Sequence, residues 1–243
     1  MDKNRVDVNS PWYPYIKVQE GYYDLKDTVT LPRKICDYLI DAPQGNYTPV
    51  DDNTRPRVRL WKYMFYDTPN PLSNPLPTIQ EKMSVVFNPE KPETPPTEKG
   101  YRLIPQIYVP QAQLSGQTRL YVYLGRTVPL NDEARISLAV TFRIWTHYTY
   151  ESNTKSDEYS RAFAIEQALI QALHGVNMTG VGTFVFNKFM HPDCGSNVMF
   201  DGQTNVGREL TIALQVNTTE NEQFGDIVNK PYANPREPNI RWG

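Results

Sequence analysis

His191, Asp193 and Cys194 form the tightest group of metal-capable side chains in the chain, with the two-residue gap of half a zinc site. Structural zinc takes four ligands, usually as two such pairs. The remaining histidines and cysteine, His147, His174 and Cys36, stand at no matching spacing, so the group is expected to be a turn after a strand. Asp201-Gly202, followed by Gln203, Thr204 and Asn205, has the outline of a calcium loop. The alternating carboxylates and the closing glutamate are missing, and Asp-Gly is instead a hairpin turn signal. Nucleophile elbows, glycine-rich phosphate loops and paired catalytic carboxylates do not occur. His147 would sit on the polar face of a strand and His174 at a helix C-terminus, where a cation is favoured. The expectation is a protein with no catalytic residue, no metal and no cofactor.

Arg55, Arg57, Arg59 and Lys62 are the one local concentration of positive charge. On an extended strand Arg57 and Arg59 would share a face and Lys62 would lie on the other. A solvated strand edge accounts for them, since edge charges discourage pairing between sheets. The whole chain has 25 Lys+Arg against 27 Asp+Glu, a formal charge of −2, which argues against a surface that wraps nucleic acid. Two cysteines are too few for a disulfide framework, and each lies where a small buried thiol would fit. No apolar run reaches the roughly 18 residues of a membrane span, and no charged-then-apolar leader opens the sequence. A protein made and used in a reducing cytosol is expected.

The elements that must carry these side chains divide by proline content. Thirteen prolines fall between Pro43 and Pro110, whereas Pro192 stands alone between Leu130 and Lys230. Proline is excluded from helix interiors and central strands, so the later stretch is expected to hold the uninterrupted structure and the earlier one only short strands and stiff loops. Thr30–Asp41 has the cap, the early proline and the apolar stripe (Leu31, Ile35, Tyr38, Leu39) of a helix. Arg57–Phe65 alternates with bulk on both sides and is expected to be a strand covered on both faces. Met83–Phe87 and Tyr101–Val109 are expected to be short strands.

Arg119–Leu124 and Arg135–Thr149 form the clearest pair. In the second, Ile136, Leu138, Val140, Phe142 and Ile144 point one way and Arg135, Ser137, Thr141, Arg143 and His147 the other, the pattern of a half-buried antiparallel strand. Its length suggests a hairpin that outruns its own domain. Asp157–His174 is the strongest helix, with Ala162, Ile165, Leu169, Ala172 and Leu173 as its buried stripe and Gly175 as its left-handed stop. Thr183–Met190 and Glu209–Val216 close the core. The expected fold class is α+β: an antiparallel sheet with a long protruding hairpin, two helices, proline-rich loops at 66–78 and 88–99, and one core domain over 29–217. An N-terminal arm, 1–28, and a C-terminal tail, 218–243, flank it.

Low apolar content, 39%, with 16 tyrosines suggests surface that is buried against something else. Trp12, Tyr13, Tyr15, Tyr22 and Tyr23 in the arm, and Tyr232 and Trp242 in the tail, are the candidate contacts outside the core. Arg143, Trp145 and His147 on the long strand are those within it.

The order of elements from Arg119 onward is carried by RISLAVTFRIWTHYTYES, DEYSRAFAIEQALIQALHG, GTFVFNKFM and RELTIALQV. It resembles the tail-terminator and tail-completion proteins of tailed bacteriophages, and TLPRKICDYLID matches the early helix of that family. The likeness covers about residues 119–217, and 30–41 more loosely. The proline-rich loops and both ends depart from it. It implies a structural virion protein, assembled in the host cytoplasm, that forms a six- or twelve-membered ring at the phage neck or tail. Its partners would be copies of itself and other neck and tail proteins. Genomic DNA would pass only transiently through the lumen, no membrane would be involved, and no catalytic residues are carried over. The rival expectation is a receptor- or glycan-binding β module of a tail fibre or spike, with tyrosines lining a groove and a trimer as its assembly.

The near-cancelling charge makes one outcome definite. The purified chain should bind duplex DNA weakly at physiological salt in a filter or anisotropy titration. Tight, salt-steep binding would contradict the charge argument and point to Arg55, Arg57, Arg59 and Lys62.

Overall fold

The computed structural model describes residues 30–40, 50–92, 97–107, 117–130, 135–152, 160–178, 182–200 and 204–217. The expected arm and tail, with Trp12, Tyr13, Tyr15, Tyr22, Tyr23, Tyr232 and Trp242, lie outside the described residues. The fold is α+β. Its helices are α1 (Leu31–Ile40), α2 (Pro56–Phe65), α3 (Ile79–Ser84), α4 (Tyr148–Ser152) and α5 (Arg161–Leu173), with a 3-10 turn at Pro71–Ser73. Its strands are β1 (Leu103–Ile104), β2 (Arg119–Pro129), β3 (Arg135–His147), β4 (Asn177–Met178), β5 (Gly182–Val185), β6 (Gly195–Phe200) and β7 (Asn205–Asn217). They form one sheet in the order β1-β2-β3-β7-β5-β4, with β6 also paired to β7, and only β1 runs parallel to its neighbour.

The long strand is as expected in place and in facing. Ile136, Leu138, Val140, Phe142 and Ile144 are buried, opposite Val216, Leu214, Ile212, Leu210 and Arg208 of β7. The hairpin does not stand clear of the sheet, however. Every residue from Arg135 to His147 pairs with β7, itself 13 residues long, so the length of β3 is used within the chain. Nor is its other face wet along its whole length: Ser137 is fully buried and Thr141 nearly so, whereas Arg143 towards its end keeps about a third of its side chain exposed. A second layer lies there. Phe87, Tyr101, Ile104 and Tyr121 make a separate apolar cluster joined by Tyr123 and Trp145.

The proline-rich stretch departs most from expectation. Arg57–Phe65 is the helix α2, with Pro56 in its first turn. Its alternating bulk is the signature of a helix buried nearly all round, with Val58, Leu60, Trp61, Tyr63, Met64 and Phe65 all inside. Pro56 starts it because the first helical N–H has no partner to lose. Likewise Met83–Phe87 is the end of α3 and a single bridge, Val86 to Leu103. The start of α3 is a capping box: Glu81 N donates to Thr78 Oγ1 at 3.2 Å and Thr78 N to Glu81 Oε2 at 2.8 Å. Tyr101–Val109 contributes only Leu103–Ile104, before Pro105.

The helix expected at Asp157–His174 is described from Ser160. Ser160 caps α5 by accepting from Phe163 N at 3.1 Å, and the Glu151 carboxylate accepts from Ala162 N at 2.9 Å at the positive helix end. Gly175, at φ 81°, stops it in the left-handed region, as its sequence position implied. The buried stripe of α5 lies on β3 and β7 and against α2. Leu169 is fully buried among these elements. Leu169→Ala should therefore cost roughly 2–5 kcal/mol by leaving a cavity, read as a fall in urea midpoint with the m-value unchanged.

Candidate functional site

The face of the sheet opposite the helices brings three of the candidate contact residues together. Arg143, Trp145 and His147 occupy alternate positions of β3 and face Glu209, Gly207 and Asn205 of β7. Arg143 is locked into a network. Its Nη2 donates to Glu209 Oε2 at 2.7 Å and to the Tyr123 hydroxyl at 2.9 Å, and that hydroxyl donates to Glu209 Oε2 at 2.8 Å. The guanidinium also lies 5.3 Å from the Tyr123 ring centroid. Burial, and then the hydrogen bond to the Glu209 carboxylate, push the Tyr123 phenol up to about 12. Burial alone would raise Glu209, but the bonds from Arg143 and Tyr123 outweigh it and hold the carboxyl below its usual range.

Trp145 lies half-buried across from Gly207. A side chain at position 207 would run into both the Ile144 carbonyl and the Trp145 ring, so the indole needs glycine there. His147 packs its ring 4.6 Å from that of Tyr148, and its Nδ1 accepts from Thr149 N at 3.4 Å. This is a polar-aromatic face on which Arg143 is paired with Glu209. It can present shape and hydrogen bonds to a partner. Arg143, placed by the sequence on the polar face of β3 as a candidate contact, is committed to Glu209.

The motif that most resembled a metal site is a latch. His191 is fully buried, its Nδ1 accepts from Asp193 N at 3.1 Å, and its Nε2 therefore carries the proton and donates to Arg126 O at 3.0 Å. Arg126 lies in the irregularity between Leu124 and Thr127 of β2, so the bond ties the loop after β5 across to that distortion. Among the described residues no group of three or more His, Cys, Asp or Glu could hold a metal. Cys194 and Cys36 are both free and buried, and burial pushes both thiols up. Among the described residues, no helix is long and apolar enough to cross a membrane.

The basic cluster belongs to α2 and not to a strand edge. Lys62 is buried against Asp51 at 2.6 Å, Arg59 bonds Gln171, and Arg57 donates to Tyr38 O at 3.0 Å while covering the Tyr38 ring. The edge strand that does exist, β6, was hidden. Asp201-Gly202 pointed to a hairpin, and Phe200 does pair with Val206 around it, but the strand entering that turn, GSNVMF, carries no strong alternation. Among the described residues β6 pairs only with β7. Val198 is 53% exposed and Phe200 70%, and both lie on the helix side of the sheet with Phe163 at 47%.

Residues 58–213, more than half of the chain, match the YomW family. The chain belongs to the YomW family. The name is of the SPβ-prophage type, and the protein is phage-associated. The YomW match runs from α2 into β7, so it takes in the proline-rich stretch together with the sheet and α5, and leaves out α1 and both ends. No curated protein and no solved structure matches the chain.

The network on the sheet yields a pH test. Because the folded Glu209 titrates lower than it would unfolded, its contribution is present above the ordinary carboxylate range and lost as pH falls through the folded value. The stability gap between the parent and Glu209→Gln should therefore narrow on acidification through and below that range in urea titrations. A gap independent of pH would contradict the network's role.

Proposed function

We propose that this phage-associated chain is a structural virion protein that forms an oligomeric ring at the neck or tail, as a tail terminator or head-to-tail connector. In that role it joins portal to tail, lines the DNA passage and does no catalysis. The observation that carries this reading is the β6 edge. Monomeric proteins protect an exposed edge with charges, proline or a bulge, and Gly195–Phe200 holds no charged residue and no proline. It also offers two bulky apolar side chains, Val198 and Phe200, to whatever lies alongside.

The occupant that fits is the N-terminal arm of a neighbouring subunit. An extended segment adds to an open edge through main-chain bonds, with alternate side chains meeting the surface of the sheet. Arm residues Trp12, Tyr13 and Tyr15 would pack on Val198 and Phe200. At roughly 3.3 Å per residue the arm before Leu31 is long enough to cross a subunit. An arm on one copy and an edge on the next make a head-to-tail contact, the kind that closes into rings. The family membership supports the phage setting, and the resemblance of the elements supports the neck or tail position.

Light scattering or native mass measurement tests the reading. The parent should assemble as a six- or twelve-membered ring. Val198→Lys should yield a protein of unchanged melting temperature that no longer assembles. A monomeric parent would sink the ring reading, and a trimer would move the assignment to a fibre or spike module.

A further inference from the structure

Phe189, in the loop between β5 and β6, stands 94% exposed. The loop beneath it is well bonded. Asn187 Oδ1 accepts from Phe189 N at 2.9 Å and Asn187 O from Met190 N at 3.0 Å, and Gln215 Nε2 donates to Met190 Sδ at 2.7 Å. On the return, His191 donates to Arg126 O and accepts at its carbonyl from Cys194 N at 3.1 Å. An aromatic ring on such a support is already in place, so a partner that covers it gains apolar burial at little ordering cost. Buried aromatic anchors of this kind carry much of the energy of protein contacts.

The position of the loop says what lies alongside it. Gln215 alternates along β7 with the core residues Leu214 and Val216, so the loop it holds lies on the sheet face opposite the helices. Lys188 runs beside the first residue of β6, its Cε 3.7 Å from where a Cβ would stand at Gly195. Val198 and Phe200 flank the same strand on the helix side. A segment added along β6 therefore meets apolar side chains on both of its faces.

The N-terminal arm is built for two such faces. In an extended chain Trp12 and Ile16 point one way, and Tyr13 and Tyr15 the other. Pro14, between them, is tolerated in an outermost strand when its nitrogen turns to solvent, and there it blunts the new edge against further addition.

We infer that Phe189 is the second jaw of the β6 docking site, packing on the face of a neighbouring subunit's arm that is turned away from Val198 and Phe200. The inference rests on the reading that such an arm occupies the β6 edge, and not on the number of subunits.

Photo-crosslinking from position 189 tests it. With p-benzoylphenylalanine in place of Phe189 in the full chain, irradiation of the assembled protein should give a covalent dimer on a denaturing gel. Mass spectrometry should map the link to residues 11–18. Phe189→Ser should keep the parent's melting temperature and need about tenfold more protein to assemble. Absence of the dimer, a link within one subunit or to any other segment, or a Phe189→Ser variant that assembles as readily as the parent would overturn the inference. The mass of the particle judges the ring separately. A trimer linked at 11–18 would sink the ring and keep the two-faced contact, and a ring without that link would do the reverse.

Discussion

Buried side-chain donors on helix C-terminal carbonyls hold the helical half of this protein together. The last carbonyls of a helix have no partner within it, and they carry the negative end of its dipole. At the end of α1, Tyr38 O accepts from Arg57, Leu39 O from the Trp61 indole at 2.6 Å, and Ile40 O lies within reach of Lys82. Just past and within the end of α2, Met64 O accepts from Arg102 at 2.6 Å, and Tyr66 O and Thr68 O accept from Arg161. Arg102 is also forked onto Asp67. At the end of α5 the Tyr38 hydroxyl donates to Ala172 O at 3.0 Å. Lys82, Arg102 and Arg161 are almost wholly buried, so each of these bonds acts in a medium where an unmade one would be expensive. The donors come from α3, from the segment leading into β1 and from α5, which makes the geometry of each helix end a condition for the next.

That arrangement explains which parts were legible in the sequence. β3, β7 and α5 announce themselves because one face is apolar and their period is clean, so Ile136 to Ile144, Leu210 to Val216 and the stripe of α5 could be placed residue by residue. α2 hides because it is apolar on nearly every side, and a period is lost when there is no wet face to contrast with. Its arginines and Lys62 looked like surface charge, whereas Lys62 is buried and Arg57 is bonded to a helix end. Prolines added to the confusion: those at Pro56 and Pro71 begin helical turns where a missing N–H does no harm.

The contact surfaces were less legible than the core. Arg143, Trp145 and His147 were correctly grouped on one face, because alternation along a strand is a geometric certainty. Their pairing was invisible, since the partners Glu209 and Tyr123 lie 66 and 20 residues away in the chain. The β6 edge could be found only through its turn, because Gly195, Ser196 and Asn197 give the strand no apolar rhythm. Surfaces selected for contact with other molecules need not carry the inside-outside contrast from which a sequence is most easily interpreted.

The two thiols carry a consequence for durability. Disulfide exchange and oxidation proceed through the thiolate, and exposure sets their rate. Cys36 is sealed in the main core and Cys194 beneath the loop held by His191, with burial suppressing the ionised form of each. The described structure contains no disulfide to reduce and no accessible sulfhydryl to oxidise. Neither thiol of the folded core is therefore open to exchange or oxidation, and its shape owes nothing to a bond that a reductant could break.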